Sequence, residues 1–166
     1  MSTLQSVVST STLNASVSNT GATASGSVLS LTALNPSTLT YTPTSTPPAV
    51  YFPGGSATLS GSAATSDTLD LTALTDNEGI AVDGTGAKVQ EFIISAGSSN
   101  AATLTVSDGD TNAYSLFGSG NEVNLQAGMS VRMRCNDQLS DIAAGVKNIK
   151  IAGTGGDTYT YVFVIG

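Results

Sequence analysis

No histidine and no tryptophan occur in these 166 residues, cysteine occurs once, and 5 Lys and Arg stand against 12 Asp and Glu. Each shortage excludes something. Without imidazole there is no Ser-His-Asp or Cys-His relay, no histidine metal ligand and no proton shuttle working near neutrality. Paired carboxylates could still run a glycosidase. Such clefts present aromatic platforms, however, and the rings here are 5 Tyr and 4 Phe. The chain therefore reads as a non-enzyme. The lone Cys135 excludes an intrachain disulfide, and with it the stapled scaffolds of small secreted domains. It falls at the apolar phase of a strand pattern, which favours a buried, inert thiol over a reactive one.

Positive charge is too sparse for a phosphate-gripping surface. Only Arg132, Arg134, Lys147 and Lys150 come near to a cluster in a chain of net charge −7, so no nucleic-acid partner is expected. No apolar run approaches the ~20 residues of a membrane helix. The start Met1-Ser2-Thr3-Leu4-Gln5 has neither the basic nor the apolar region of a signal peptide. Neither a membrane partner nor a secretory leader is expected.

Charge is also missing by region: the first 66 residues contain no Asp, Glu, Lys or Arg. This shift suggests an arm followed by a domain of ~110 residues. Residues 1–27 are Ser, Thr, Asn, Ala and Gly, with Leu4, Val7, Val8 and Leu13 the main apolar side chains. They are too few to offset the entropy of ordering the segment alone. It reads as a flexible tail or as an arm anchored on a partner through those four residues. Residues 28–56 hold a short strand candidate, Val28–Leu34, and then all five prolines, at 36, 43, 47, 48 and 53, as an extended linker. Residues 57–166 read as the folded domain.

In that domain strand patterns recur between turn signals. Candidates are Thr68–Leu74, Lys88–Ser95, Ala102–Val106, Ala113–Phe117, Val123–Leu125, Ser130–Asn136, Val146–Ala152 and Thr158–Ile165. The turns between them include Asp76-Asn77-Glu78-Gly79, Asp83-Gly84-Thr85-Gly86 and Gly118-Ser119-Gly120-Asn121. Short strands at this spacing indicate an all-β antiparallel sandwich or jelly roll. Gln138–Gly145 is the single helical competitor, and it is about one turn long.

Two strands carry more than architecture. Met129, Val131, Met133 and Cys135 alternate with Ser130, Arg132 and Arg134, giving one core face and one face with two arginines. That face is either solvated or pairs with carboxylates such as Asp137 or Asp141 of a neighbouring copy. In the last strand Tyr159, Tyr161, Phe163 and Ile165 share one face, and the other turns apolar at Val162 and Val164. Cover is needed on both sides, so these rings are expected in core or subunit packing. Asp108-Gly109-Asp110-Thr111-Asn112 sets oxygens at i, i+2 and i+4, an arrangement Ca2+ favours. The twelfth EF-hand position would be Ser119 instead of Glu, and Asp-Gly between strands is also an ordinary hairpin turn. No cofactor is expected beyond this candidate cation.

Leu125-Gln126-Ala127-Gly128-Met129-Ser130-Val131, followed by a core strand, a Gly-rich turn and a terminal strand, resembles the small jelly-roll virion proteins of tailed bacteriophages, the capsid decoration, cement and head-fibre proteins. The resemblance extends over Leu69 to Gly166. It implies a homotrimer seated on the exterior of a virion, with the major capsid protein as partner and the N-terminal arm reaching over coat subunits. Two rival readings are a filament or surface-layer subunit that donates a strand to the next copy, and a carbohydrate-binding or adhesin jelly roll.

Overall fold

The terminal run folds as its alternation requires: Thr158–Ile165 is an eight-residue strand in the interior of a four-stranded sheet. The computed structural model describes residues 7–10, 38–41, 51, 53–61, 63–76, 79–135 and 137–166, and no helix occurs among them. In chain order the strands are β1 (Val7–Thr10), β2 (Thr38–Tyr41), β3 (Gly54–Thr58), β4 (Ala64–Asp70), β5 (Leu74–Thr75), β6 (Ala81–Val82), β7 (Val89–Ala96), β8 (Leu104–Asp108), β9 (Glu122–Leu125), β10 (Ser130–Arg134), β11 (Asn148–Thr154) and β12 (Thr158–Ile165).

Two four-stranded antiparallel sheets make the sandwich, in the orders β10-β7-β12-β3 and β4-β11-β8-β9. The pairing follows a rule. Of these eight strands the first lies beside the last, the second beside the seventh, the third beside the sixth and the fourth beside the fifth. A long two-stranded ribbon rolled up so that β12 meets β7 and β11 meets β8 produces this order, which is the jelly roll.

Pleating decides which side chains meet between the sheets. Phe92, Ile94, Tyr159 and Phe163 from one sheet pack with Leu69, Leu104, Val106, Leu125, Ile149 and Ile151 from the other in one core. Tyr159 reaches across, and its hydroxyl donates to Asp67 Oδ2 on β4 at 2.6 Å. The register of β12 on β7 shifts between Val164 and Ile165. This bulge leaves both Val89 and Ile165 fully buried.

Several expectations are corrected. Ala113–Phe117 is not a strand: Ala113 makes one bridge to Asn148, and β8 and β11 already have neighbours on both sides. Its apolar side chains instead fill the end of the core. Tyr114 accepts from Val89 N at 3.1 Å and donates to Ser140 O at 2.9 Å, Leu116 is buried, and Phe117 meets Phe92 edge-on at 5.6 Å. Gln138–Gly145 is not helical; Ile142 is buried there and its N–H donates to Ala87 O at 2.7 Å. Met129 shares the alternation of β10 but precedes the strand in a turn and stands exposed, while Val131 and Met133 lie against the core on an edge strand.

The first sandwich strand, β3, starts inside the stretch expected as linker. Tyr51 is already bridged to Ile165, with Tyr51 N to Ile165 O at 2.9 Å and Ile165 N to Tyr51 O at 3.0 Å. Further up the chain, Val7 and Val8 lie in β1, which pairs antiparallel with β2, Val7 opposite Tyr41 and Val8 opposite Thr40. Leu4, Leu13 and the Val28–Leu34 candidate lie outside the described residues.

Candidate functional site

Arg132 and Arg134 project from the same face of β10 because they are two residues apart on a strand. Their partner is in their own chain. Glu91 on β7 lies directly opposite Arg134 and diagonally from Arg132. Arg132 Nε donates to Glu91 Oε1 at 2.7 Å and Arg134 Nε to Oε2 at 3.3 Å. Glu91 is 2% exposed, although it belongs to the outward face of its sheet. Each carboxylate oxygen thus takes its own guanidinium, a geometry that makes charge-assisted bonds strong. Asp137 and Asp141, the carboxylates expected to meet these arginines from a neighbouring copy, lie beside Lys88 in their own chain, Asp137 at 3.4 Å and Asp141 at 3.8 Å from its ammonium.

Gln90, next to Glu91, is fully buried and ties three segments together. Its Nε2 donates to Gly166 O at 2.9 Å, its Oε1 accepts from Asp137 N at 2.8 Å, and its backbone carbonyl accepts from Cys135 N at 2.8 Å. Gly166 also exchanges backbone hydrogen bonds with Lys88, at 2.9 and 3.1 Å. Sequence reasoning missed both Gln90 and Glu91. The available signal was two polar residues interrupting the otherwise apolar run Val89 to Ile94.

In the Asp108, Asp110, Asn112 set the two carboxylates take different partners. Asp110 takes Lys150 Nζ on both oxygens, at 2.8 and 3.0 Å. Asp108 Oδ2 accepts from Ser115 Oγ at 2.9 Å and Gly120 N at 3.0 Å, while its Oδ1 is buried without a hydrogen-bond partner. Asn112 sits at φ 50° and its carbonyl accepts from the backbone of Lys147 and Asn148. The loop wraps Asn148 closely, and a Cβ on Gly109 would come within 2.6 Å of Asn148 Cβ. Among the described residues no three His, Cys, Asp or Glu side chains gather as a metal centre.

Other ionisable groups in or beside the interior are held by hydrogen bonds, an ion pair or burial. Burial pushes the Asp70 carboxyl up, but Lys147 at 2.5 Å and Thr72 outweigh it and hold the group below the usual carboxylate range. Asp157 is buried, and backbone N–H groups of Thr154 and Ala101, at 2.9 and 2.8 Å, hold its carboxyl low. Burial raises the Tyr114 phenol to about 12. Burial, and then the hydrogen bond to Asp67, raises Tyr159 further. Tyr159, Phe163 and Ile165 are buried in the core, and Tyr161 is half-buried against it.

Burial, reinforced by the nearby Glu91 carboxylate, lifts the Cys135 thiol to about 12. The thiolate is the reactive form. Ellman's reagent at about pH 8 is therefore expected to leave Cys135 of the native protein unlabelled and to titrate one thiol per chain after denaturation. Rapid labelling of the native protein would show that the sheet end around Cys135 opens readily.

Chemically, these arrangements anchor segments of the chain and neutralise charge within it. No helix among the described residues is long and apolar enough to cross a membrane. Comparisons with protein-family models, with curated proteins and with solved structures find no match to this chain.

Proposed function

We propose that this chain is a non-enzymatic structural protein of a tailed-phage virion. In this reading it is a decoration or cement protein that self-associates as a trimer on the capsid exterior, its N-terminal arm lying over the major capsid protein. The observation that carries the reading is the jelly roll in which buried charge is neutralised inside the chain. Glu91 is held by two arginines and Asp157 by backbone N–H groups. That is how a load-resisting scaffold is built. It leaves recognition to shape, backbone pairing and the uncharged segment before Asp67. Stabilisation then follows by mass action, since each bound copy bridging coat subunits resists their separation.

Deleting residues 1–27 tests it. The truncated chain is expected to lose binding to coat-protein shells of the encoding phage while the thermal midpoint of the sandwich stays that of the full chain, only the β1–β2 ladder being lost. Shells decorated equally by the truncated form would remove the arm from the account.

One observation favours a second reading. The β1–β2 ladder is two-stranded among the described residues, and a lone two-stranded sheet is marginal in water. Both strands lie in the uncharged stretch, with no Lys or Glu to discourage further pairing. A strand from another copy would complete it and propagate a filament. Fibres that lengthen with protein concentration would favour this reading over the closed trimer.

A further inference from the structure

Charge is distributed along the sandwich as unevenly as along the sequence. The strands run between two ends. At one end the chain turns from β3 to β4, from β7 to β8, from β9 to β10 and from β11 to β12; at the other lie the connections that follow β4, β8 and β10, with Gly166. Among the described charged residues only Asp157 belongs to the first end, and it is buried and bound by backbone donors. Asp76, Asp83, Asp110, Asp137 and Asp141 are all at the second.

The neutral end is firmly built. Gly128 N donates to Gly97 O at 3.2 Å and Ala96 N to Met129 O at 2.8 Å, locking the two turns side by side. Asn100 accepts from Thr158 N at 2.7 Å and donates to Thr158 O at 2.9 Å. A Cβ on Gly97 would stand 2.0 Å from Thr158 Oγ1 and 2.8 Å from Asn100 Oδ1, so any larger residue here would have to displace those side chains. On that rim Ala127 is exposed and Met129 is 46% exposed. Lack of charge and an exposed methionine are two of the features that mark an interface centre, and a rim already ordered loses little freedom on docking.

We infer that this neutral end is the contact between copies of the chain, with Met129 at its centre. Given that self-association, electrostatics selects the surface. Each copy carries net charge −7, so most approaches bring like charges together at a cost. End-to-end approach does not. An eight-residue strand such as β12 spans about 26 Å, which places the loops of the charged end roughly three Debye lengths from the contact at physiological salt. The chain also enters the sandwich at the charged end, where Tyr51 pairs with Ile165. The segment before Tyr51 therefore joins the domain away from the contact. The inference rests on the self-association proposed above and names the surface responsible.

Light scattering of the full-length chain over a concentration range, in low and in high salt, tests it. A multimer whose mass is insensitive to salt is expected. Met129→Asp and Ala127→Glu should each weaken association about tenfold or more without shifting the thermal midpoint of the dissociated chain, since both side chains are exposed. Ile80→Asp, 46% exposed in the β5–β6 turn at the charged end, should leave the mass unchanged. A multimer indifferent to both rim substitutions overturns the neutral-end contact and leaves self-association standing. A wild-type chain that is monomeric at every concentration overturns both.

Discussion

Glu91→Ala is expected to destabilise the folded chain by about 3 kcal/mol, the lower part of the range for removing one partner of a buried ion cluster. The direction follows from what is left behind. Arg132 and Arg134 are each about a quarter exposed at the side chain, so water replaces the lost carboxylate only in part, and two guanidiniums held side by side on β10 then repel one another. Glu91→Gln should cost less, because the amide oxygen still accepts from one arginine. The informative comparison is the triple replacement Glu91→Leu, Arg132→Met, Arg134→Met, which removes the desolvation cost together with the attraction. It is expected to be neutral or stabilising. Denaturant midpoints of the four proteins, with unchanged m-values as evidence that the transition has kept its character, measure all of this. A loss below about 1 kcal/mol in Glu91→Ala, the level of exposed pairs, would mean that the cluster is solvated and that the burial of Glu91 is not maintained in solution.

The same cluster shows where sequence reading stops. That Arg132 and Arg134 share a face follows from a period of two and needs no structure. That they share Glu91 depends on Arg134 lying opposite it across β10 and β7, a pairing of residues 43 apart in sequence that periodicity cannot supply. Cys135 was legible for the same reason as the arginines, since alternation alone places it on the buried side.

Strand existence was legible in proportion to apolar alternation. Thr158–Ile165 has the expected bounds because Tyr159, Tyr161, Phe163 and Ile165 keep one face apolar from end to end. Gly54–Thr58 reads as a loop, having no large apolar residue, and is a strand only because β12 offers it a ladder. Gly55 suits that place, since a Cβ there would press on the Tyr161 ring at 3.0 to 3.3 Å. Conversely Ala113–Phe117 has the apolar content of a strand without an available edge. The loss of charge before Asp67 is real but marks no boundary of the fold: β3 and the first residues of β4 lie within it. The all-β sandwich could be anticipated from turn spacing, whereas the first-with-last pairing of the jelly roll is long-range information.

Phe163→Ala should have the largest effect of any single core truncation on β12, about 3 to 5 kcal/mol. Phe163 is fully buried in the centre of its sheet, directly opposite Phe92 on β7. Its ring lies 6.3 Å from that of Phe92 and 5.7 Å from that of Tyr161, and Phe92 in turn meets Phe117. Removing it leaves a cavity walled by rings fixed on two hydrogen-bonded strands, which cannot collapse far into the space. Phe163→Leu keeps most of the volume and should recover most of the loss. Tyr161→Ala, at a half-buried position, should cost less than Phe163→Ala. Thermal and denaturant unfolding of the full chain decide the order. A Tyr161→Ala loss equal to or greater than that of Phe163→Ala would move the centre of the core toward the β3 edge. Because Phe163 is remote from the neutral end, Phe163→Ala should lower stability while leaving the mass of the folded assembly unchanged, whereas Met129→Asp does the reverse. That opposition separates the residues that hold the sandwich together from those proposed to join one sandwich to the next.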